Sequence, residues 1–193
     1  MLEGKNELPV VISKVTAKDF NAIPVGKIKA FDCGDSFLNG ALQKTVKKQL
    51  ESHNSHLLLM MGDNSTVVGF LSWTVNVLAR EFVADSLGQS VSSIPKTIPV
   101  FKVLMIGIDK KFQGNGFGAA LLQCVLADFA DLHADIKVTK GVTLDALKGK
   151  EGFYKQIGFS VIQENDNSPT VTMFLPMNQL IEALEESVSA SKV

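Results

Sequence analysis

Residues 113 to 118, which read QGNGFG, combine three glycines with two side-chain amides in one short stretch. Glycine allows sharp backbone turns, and its missing side chain lets a bulky ligand approach the main chain closely. A helix that begins in such a stretch adds unpaired N–H groups and a partial positive charge, both of which attract anions. The stretch therefore predicts a site for a phosphate group, with an ordinary tight turn as the alternative.

Gly107 and Tyr154 are two further residues with chemistry of their own. Gly107 interrupts the apolar run VLMIGID, and a glycine inside a strand marks a bulge, a close ligand or tight packing. Tyr154 is the only tyrosine of the chain. A phenol with a pKa of about 10 is protonated at neutral pH and can donate its proton to a leaving group. Tyr154 is accordingly a candidate general acid, with a structural core aromatic as the alternative.

The bulk composition is that of a soluble globular protein, with 46% hydrophobic and 20% charged residues among 193. This length suits one domain, and we expect residues 1–193 to form it. Lys and Arg number 19 against 20 for Asp and Glu, which excludes a strong overall field toward nucleic acid or an anionic membrane. Arg80 is the only arginine, so backbone amides and lysines must bind any phosphate.

Cysteine usage and hydropathy indicate a cytoplasmic protein. Cys33 and Cys124 are far apart and belong to no CxxC motif or Cys/His cluster, which argues against a disulfide framework or a metal site. The N-terminus lacks a signal-peptide pattern, and no stretch reaches the roughly 20 apolar residues of a membrane span. We therefore expect no membrane association and no bound metal.

Apolar periodicity and turn residues predict an α+β fold. The expected strands cover 9–16, 56–61, 66–79, 99–109, 136–146, 159–163 and 170–176. The expected helices begin within 32–36, run from about 116 to 132 and from 148 to 158, and are followed by an amphipathic tail at 177–193. Residues 80–99 are expected to be a long loop. This order predicts a mixed, mostly antiparallel sheet flanked by helices, with one central strand-helix-strand unit that contains the glycine stretch.

The ligand of the glycine stretch is predicted from its surroundings. A Gly-x-Gly-x-x-Ala interpretation favours a dinucleotide, but dinucleotide folds begin with repeated parallel units, and this chain begins with an antiparallel hairpin. The strand VLMIGID, the loop KKFQGNGFGAALL and the unit EGFYKQIGF instead resemble, in that order, the acetyl-CoA-binding core of the GNAT N-acetyltransferases. The resemblance covers roughly residues 56–175 of the chain.

This resemblance implies transfer of an acetyl group from acetyl-CoA to a primary amine. The loop would bind the coenzyme pyrophosphate through Gln113, Gly114, Asn115, Gly116, Phe117 and Gly118. The preceding strand, at Ile106, Gly107 and Ile108, would pair with the pantetheine arm and polarise the thioester carbonyl. Tyr154 would protonate the leaving thiolate. The general base is left open among Glu81, His53, His56 and a water relay.

A second resemblance lies at residues 28–49, which read IKAFDCGDSFLNGALQKTVKKQ. They are similar to the Phe-x-Cys-Gly…Leu-Asn…Leu element of GNAT toxins from toxin-antitoxin pairs, which acetylate the amino group of aminoacyl-tRNA. The resemblance implies tRNA and a small antitoxin as partners, with Lys44, Lys47 and Lys48 meeting phosphates. A protein or small-molecule amine acetyltransferase without a toxin role is the alternative within the family.

Two alternatives lie outside amine acetylation. One is a non-catalytic coenzyme A-binding module, and the other is an NAD-binding oxidoreductase. Whatever the function, exposed strand edges and the apolar loop near 77–100 predict a homodimer.

Overall fold

The computed structural model describes residues 10–164 and 166–190. Its strands are β1 (Val11–Val15), β2 (His56–Gly62), β3 (Thr66–Ala79), β4 (Thr97–Ile108), β5 (Gly141–Leu147), β6 (Ser160–Glu164) and β7 (Thr170–Pro176). Its helices are α1 (Ala17–Ala22), α2 (Val25–Ala30), α3 (Ser36–Gly40), α4 (Val46–Glu51), α5 (Phe117–Ile136), α6 (Glu151–Lys155) and α7 (Met177–Ala190). A π-helical turn, Ala41–Thr45, joins α3 to α4.

Within the described residues, seven strands form one sheet in the order β1-β2-β3-β4-β5-β7-β6. The pairs β1/β2, β2/β3, β5/β7 and β6/β7 are antiparallel, and the pair β4/β5 is parallel. A parallel pair needs a crossover connection, and α5 supplies it between β4 and β5. The predicted mixed, mostly antiparallel sheet with its central strand-helix-strand unit is confirmed.

Over the described residues the chain divides into two compact units. The first unit contains residues 10–73 and 105–123, and the second contains residues 74–104 and 124–190. Three elements, β3, β4 and α5, pass from one unit to the other. The single domain expected over 1–193 stays a prediction.

The first unit packs helices α1 to α4 against β2 and β3. Its apolar cluster consists of Phe20, Ile28, Phe31, Leu42, Val46, Leu50, Leu57, Leu59, Val67 and Phe70. Two of these helices, α1 and α3, begin at side-chain caps. Thr16 and Asp19 form a reciprocal capping box at the start of α1, a local signal for a helix that the periodicity does not predict. Asp35 accepts hydrogen bonds from the N–H groups of Phe37 and Leu38, which confirms the helix start predicted within 32–36.

The second unit has its own apolar cluster, to which β4, β7 and the segment before β4 contribute. Its buried members are Val83, Ala84, Ile94, Ile98, Val100 and Phe174. The segment predicted as a loop at 80–99 supplies four of them and contains two short 3-10 turns, Arg80–Phe82 and Val91–Ser93. Because these side chains are buried, part of this loop belongs to the core of the second unit.

Helix α5 and strand β5 differ from their predicted bounds. The helix continues past the predicted end at 132 to Ile136, and the strand begins at Gly141 where the prediction has 136. Lys137 has a φ of 53°, which is incompatible with an extended strand. A side chain at Gly141 would collide with the carbonyl oxygen of Leu175, so the strand begins at a residue that lets β7 approach closely.

Helix α5 is long and apolar enough to cross a membrane by length and composition, although the sequence predicts no such stretch. A core helix of a globular protein meets the same criterion. The apolar side chains of α5 that are buried inside the protein are Leu121, Leu122, Val125, Leu126 and Phe129. Phe129 also stacks on Phe101 of β4, with ring centroids 4.4 Å apart. One face of α5 is thus buried inside the protein.

Candidate active site

Gly107 lies near the end of β4 and is buried against two phenylalanine rings of the first unit. A Cβ at this position would lie 2.9 Å from Cε1 of Phe70 and 3.4 Å from Cζ of Phe31. Tight packing therefore accounts for the glycine, which was one of the alternatives for this residue. Ile106 and Ile108 are half-buried, and strand alternation directs their side chains to the face opposite Gly107.

Asp109 anchors the start of the glycine loop. Its carboxylate is buried, with 5% of the residue exposed. One oxygen accepts a hydrogen bond from the N–H of Lys111 and the other from the N–H of Asp32, each at 3.0 Å. The N–H of Asp109 itself donates to the carbonyl oxygen of Val68 at 2.9 Å. A buried carboxylate requires such partners, so Asp109 fixes the position of the loop between β3 and the segment before α3.

Gln113 supports the loop through its side chain. Its Nε2 atom donates to the carbonyl oxygens of Cys33 at 2.9 Å and Ile108 at 2.8 Å. The side-chain amide nitrogen of Gln113 is therefore already hydrogen-bonded within the protein. Gln113 connects the end of β4, the loop and the segment before α3, and so supports the conformation of the loop.

Gly114 and Gly116 give the loop its shape. Their φ angles are +80° and +79°, a region that residues with a Cβ rarely adopt. A Cβ at either position would meet no heavy atom of the described residues within 4 Å. Asn115 holds the turn between them by donating to the carbonyl oxygens of Phe112 and Gln113. The backbone here borders open space, as a site for a large anion requires.

The open side of the loop leads into the N-terminus of α5. Phe117 and Gly118 are the first residues of this helix, which is 20 residues long. Unpaired N–H groups and the helix dipole at such an end attract anions. The loop and helix start therefore fit the pyrophosphate of acetyl-CoA, the ligand implied by the resemblance.

The segment before α3 is bound to the same loop by a hydrogen-bond network that sequence reasoning missed. The carboxylate of Asp32 accepts from the N–H of Gly34 at 2.9 Å, Nδ2 of Asn39 at 2.8 Å and Nζ of Lys110 at 3.1 Å. These bonds, with that from Gly34 first, lower the pKa of Asp32 to about 2. The N–H of Lys110 also donates to the carbonyl oxygen of Asp32.

Cys33 and Asn39 complete this network. The Oδ1 atom of Asn39 accepts from the N–H of Cys33 at 3.0 Å and from its thiol at 3.2 Å. Burial raises the pKa of the Cys33 thiol, so the thiol stays protonated and can donate. The segment 28–49 thus hydrogen-bonds the glycine loop through Asp32 and Cys33, and residues 32–39 form what we call the loop clamp.

Tyr154 belongs to the second unit, whereas residues 106–118 belong to the first. It lies on α6, and its ring contacts Phe153 and Phe159 edge to face with centroids 5.0 and 6.2 Å away. Burial raises the pKa of the Tyr154 phenol, which keeps it protonated at neutral pH. Among the residues that the structure describes, none hydrogen-bonds its hydroxyl. The hydroxyl is therefore available to a ligand.

The three candidate general bases have different surroundings. Glu81 forms an ion pair with Arg80 at 3.3 Å, and hydrogen bonding to its backbone and this pair lower its pKa. His56 stacks on Trp73 with ring centroids 4.2 Å apart, and burial followed by the charge of Lys14 lowers its pKa. His53 is exposed. A lowered pKa makes Glu81 a weak base, and none of the three is singled out.

Comparisons with known proteins identify the family of the chain. Residues 27–181 match the family described as "Acetyltransferase (GNAT) domain". The chain is 26% identical over 157 residues to "Probable toxin TacT" of Sinorhizobium fredii (strain NBRC 101917 / NGR234), a match that covers 77% of this chain and 83% of that protein.

Solved structures show the same fold. The crystal structure of a bacterial toxin matches with a TM-score of 0.83 and 26% identity, over 92% of this chain and 96% of that one. AtaT complexed with acetyl-methionyl-tRNAfMet matches with a TM-score of 0.75 and 22% identity, over 91% and 99% of the two chains.

The family match extends over both compact units and includes the loop, the strand before it and Tyr154. It replaces the dinucleotide interpretation of QGNGFG and the non-catalytic one. The chain belongs to the GNAT acetyltransferase family and is an acetyl-CoA-dependent N-acetyltransferase that acts on a primary amine.

Proposed function

We propose that the acceptor is the α-amino group of an aminoacyl-tRNA and that the protein is the toxin of a toxin-antitoxin pair. The observation that carries this proposal is the loop clamp, because residues similar to the toxin element hydrogen-bond the coenzyme loop directly. The matches to TacT, described as a probable toxin, and to AtaT complexed with acetyl-methionyl-tRNAfMet support it. AtaT has also been solved with the C-terminus of the antitoxin AtaR, which supports a small antitoxin as partner.

The distribution of charge supports an RNA acceptor. The described residues of the first unit include nine lysines and six Asp or Glu, whereas those of the second include eight basic and twelve acidic residues. Although the net charge of the whole chain is close to zero, the first unit, which contains the glycine loop, is therefore basic. Lys44, Lys47 and Lys48 are exposed on it, and only Lys47 has an ion-pair partner among the described residues, Glu51 at 3.8 Å. Such lysines suit phosphate contacts.

We propose the following roles for the site residues. The pyrophosphate of acetyl-CoA would be held by Gln113, Gly114, Asn115, Gly116, Phe117 and Gly118, and the pantetheine arm by Ile106, Gly107 and Ile108. Acetyl-CoA supplies an acetyl group on a thioester. As the amine nitrogen bonds to the acetyl carbon, the C–S bond breaks, and Tyr154 would give its proton to the thiolate. The amine proton would leave to a base or to water.

The proposed acceptor explains why no strong general base is evident. An α-amino group has a pKa of about 7.7–8.0, whereas a lysine amine has one of about 10.4. At neutral pH a substantial fraction of an α-amine is therefore already uncharged and nucleophilic. Water can remove the proton that the nitrogen loses after bond formation, so Glu81, His53 and His56 need not take part.

The pH dependence of the reaction should identify this acceptor. Tyr154, with its raised pKa, stays protonated over the assay range, so the titrating group is the amine. For an α-amine, kcat/KM should rise with pH and level off near about 8, whereas for a lysine or polyamine it should rise beyond about 9. Initial rates between these limits, corrected for ester hydrolysis, distinguish the two. A rise that continues past the α-amine range contradicts the proposed acceptor.

The direct test of the function is a comparison of acceptors. Radiolabelled acetyl-CoA is incubated with the protein and with charged tRNA, deacylated tRNA, a lysine-containing peptide or spermidine. We expect label on charged tRNA alone, at the aminoacyl end. Efficient labelling of the peptide or spermidine, with none on charged tRNA, contradicts the toxin proposal and favours the protein or small-molecule alternative.

Replacing Gly116 by alanine should weaken acetyl-CoA binding with little effect on folding. A Cβ at a φ of +79° costs about 1 kcal/mol of stability, and it would project into the open space of the loop. Gly88 offers a matched control, since its φ is +61° and a Cβ there also meets no described atom within 4 Å. Calorimetric titration with acetyl-CoA should show a loss of about tenfold or more for Gly116→Ala only.

A similar loss in Gly88→Ala, or unchanged affinity in Gly116→Ala, would show that Gly116 does not border the coenzyme. Urea denaturation of both variants checks that their stabilities fall by similar amounts.

We further propose a homodimer in the cytoplasm. Val75 and Val77 on β3 are 57% and 59% exposed, and Phe82 and Val91 in the following loop are each 41% exposed. Exposed apolar side chains so close in the chain are typical of protein interfaces. They support the homodimer predicted from the loop near 77–100.

A further inference from the structure

A groove lies between the C-terminal half of α5 and the helix α7, within the second unit. It is open to solvent and has a volume of about 600 Å³, in the size range of binding sites. Its apolar lining, which we call the floor, consists of Ala130, Ala134, Ile181 and Leu184, and Asp131 and Glu185 add carboxylates. The groove thus combines an apolar surface with negative charge.

The two helices that form the groove are uniformly acidic. Together they carry Asp128, Asp131, Asp135, Glu182, Glu185 and Glu186, and neither contains a lysine or an arginine. Since the whole chain has 19 basic and 20 acidic residues, the remainder has 19 basic and 14 acidic. The acidic excess of the molecule is therefore concentrated on α5 and α7.

Part of the groove lies beyond the family match, which ends at residue 181, in the early part of α7. Leu184 and Glu185 come after it.

We propose that this groove binds a basic amphipathic helical segment of a partner protein. The lined part of α7, from Ile181 to Ser189, is about 12 Å long, which corresponds to roughly two helical turns. Leucine-like side chains at i, i+3 and i+4 of such a segment would cover the apolar floor, and lysines or arginines would meet Asp131 and Glu185. This inference goes beyond the proposed function and does not depend on the acceptor.

Charge and floor composition select this occupant over two others. A polyamine would neutralise the carboxylates but leave Ile181 and Leu184 uncovered. The same groove of a second copy would bring further carboxylates against Asp131 and Glu185, and like charges at an interface are repulsive. A segment with both apolar and basic side chains satisfies both parts of the groove.

The test uses the full chain and a short helical peptide of leucine and lysine, with leucines at i, i+3, i+4 and i+7. A peptide of the same composition in scrambled order lacks the apolar face. Fluorescence anisotropy should show that the amphipathic peptide binds at least about tenfold more tightly than the scrambled one. The double variant Asp131→Lys, Glu185→Lys should lose this binding, and Ala134→Gln, which fills the floor without changing charge, should weaken it.

A matched control is Asp85→Lys with Glu164→Lys, which makes the same charge change at exposed positions outside the groove lining. It should bind the peptide like the unmodified protein, and all variants should retain acetyl transfer. The proposal is overturned if the scrambled peptide binds equally, if the control loses binding as well, or if neither peptide binds. It is also overturned if spermidine displaces the peptide at comparable concentration, or if Asp131→Lys, Glu185→Lys alters the oligomeric state.

Discussion

Replacing Tyr154 by phenylalanine is expected to lower kcat for acetyl transfer by about a hundredfold or more, while the dissociation constant for acetyl-CoA changes by less than about twofold. The substitution removes one hydroxyl, which makes no hydrogen bond to the described residues. Its ring contacts with Phe153 and Phe159 are retained by phenylalanine. The free energy of unfolding should therefore stay the same, whereas the reaction should lose its proton donor. Steady-state kinetics and calorimetric titration measure the two quantities.

Phe153→Leu provides the control for local packing. Phe153 lies on the same helix, is 37% exposed and contacts the Tyr154 ring. Its replacement alters that contact but keeps the hydroxyl, so kcat should fall by only a few-fold. If Tyr154→Phe keeps more than half of the activity, or if Phe153→Leu causes an equal loss, Tyr154 does not act as the acid.

Replacing Asp109 by alanine should reduce both stability and coenzyme affinity. The substitution leaves the N–H groups of Asp32 and Lys111 without their acceptor at a partly buried place. An unsatisfied buried donor costs about 1–3 kcal/mol and a partly exposed one less, so the free energy of unfolding should fall by about 1–3 kcal/mol. Because the loop loses its anchor, acetyl-CoA should bind at least about tenfold more weakly. Urea denaturation and calorimetric titration measure the two effects.

Asp35→Ala is the matched control for this substitution. Asp35 also accepts two backbone hydrogen bonds, from Phe37 and Leu38, but it caps a helix and is partly exposed. Its loss should cost about 1 kcal/mol and leave acetyl-CoA affinity unchanged. If Asp109→Ala is no more harmful than Asp35→Ala, the carboxylate of Asp109 does not anchor the loop.

The fold could be predicted from sequence where its signals are local. The two strands of the hairpin at 56–79, the glycine loop and the start of α5 depend on residues that are neighbours in the chain. The boundary between α5 and β5 could not be placed, because it depends on a positive φ at Lys137 and on the approach of β7 to Gly141. Neither the backbone conformation of a lysine nor a contact with a strand some 35 residues later leaves a periodic signal.

The sequence was sufficient to select candidate site residues, but not to predict which contacts each of them makes in the structure. Gly114 and Gly116 of QGNGFG adopt positive φ angles, but Gly107 is explained by the rings of Phe31 and Phe70. The side chain of Gln113 supports the loop through Cys33 and Ile108. Asp109 could have been noticed as an aspartate directly after a strand, a position typical of turn caps. The hydrogen bond that it accepts from the N–H of Asp32, 77 positions away, could not have been predicted.

The loop clamp makes the position of the glycine loop dependent on contacts of high sequence separation. The bonds from Asp32 to Asp109 and from Gln113 to Cys33 span 77 and 80 positions, and such contacts form late in folding. During synthesis, a chain that has completed α1 to α4 therefore has no coenzyme site until β4 and its loop have emerged. In the finished protein, the clamp and the loop should open and close as one cooperative unit. Amide exchange at Asp32 and at Lys110 should accordingly slow together when acetyl-CoA is added.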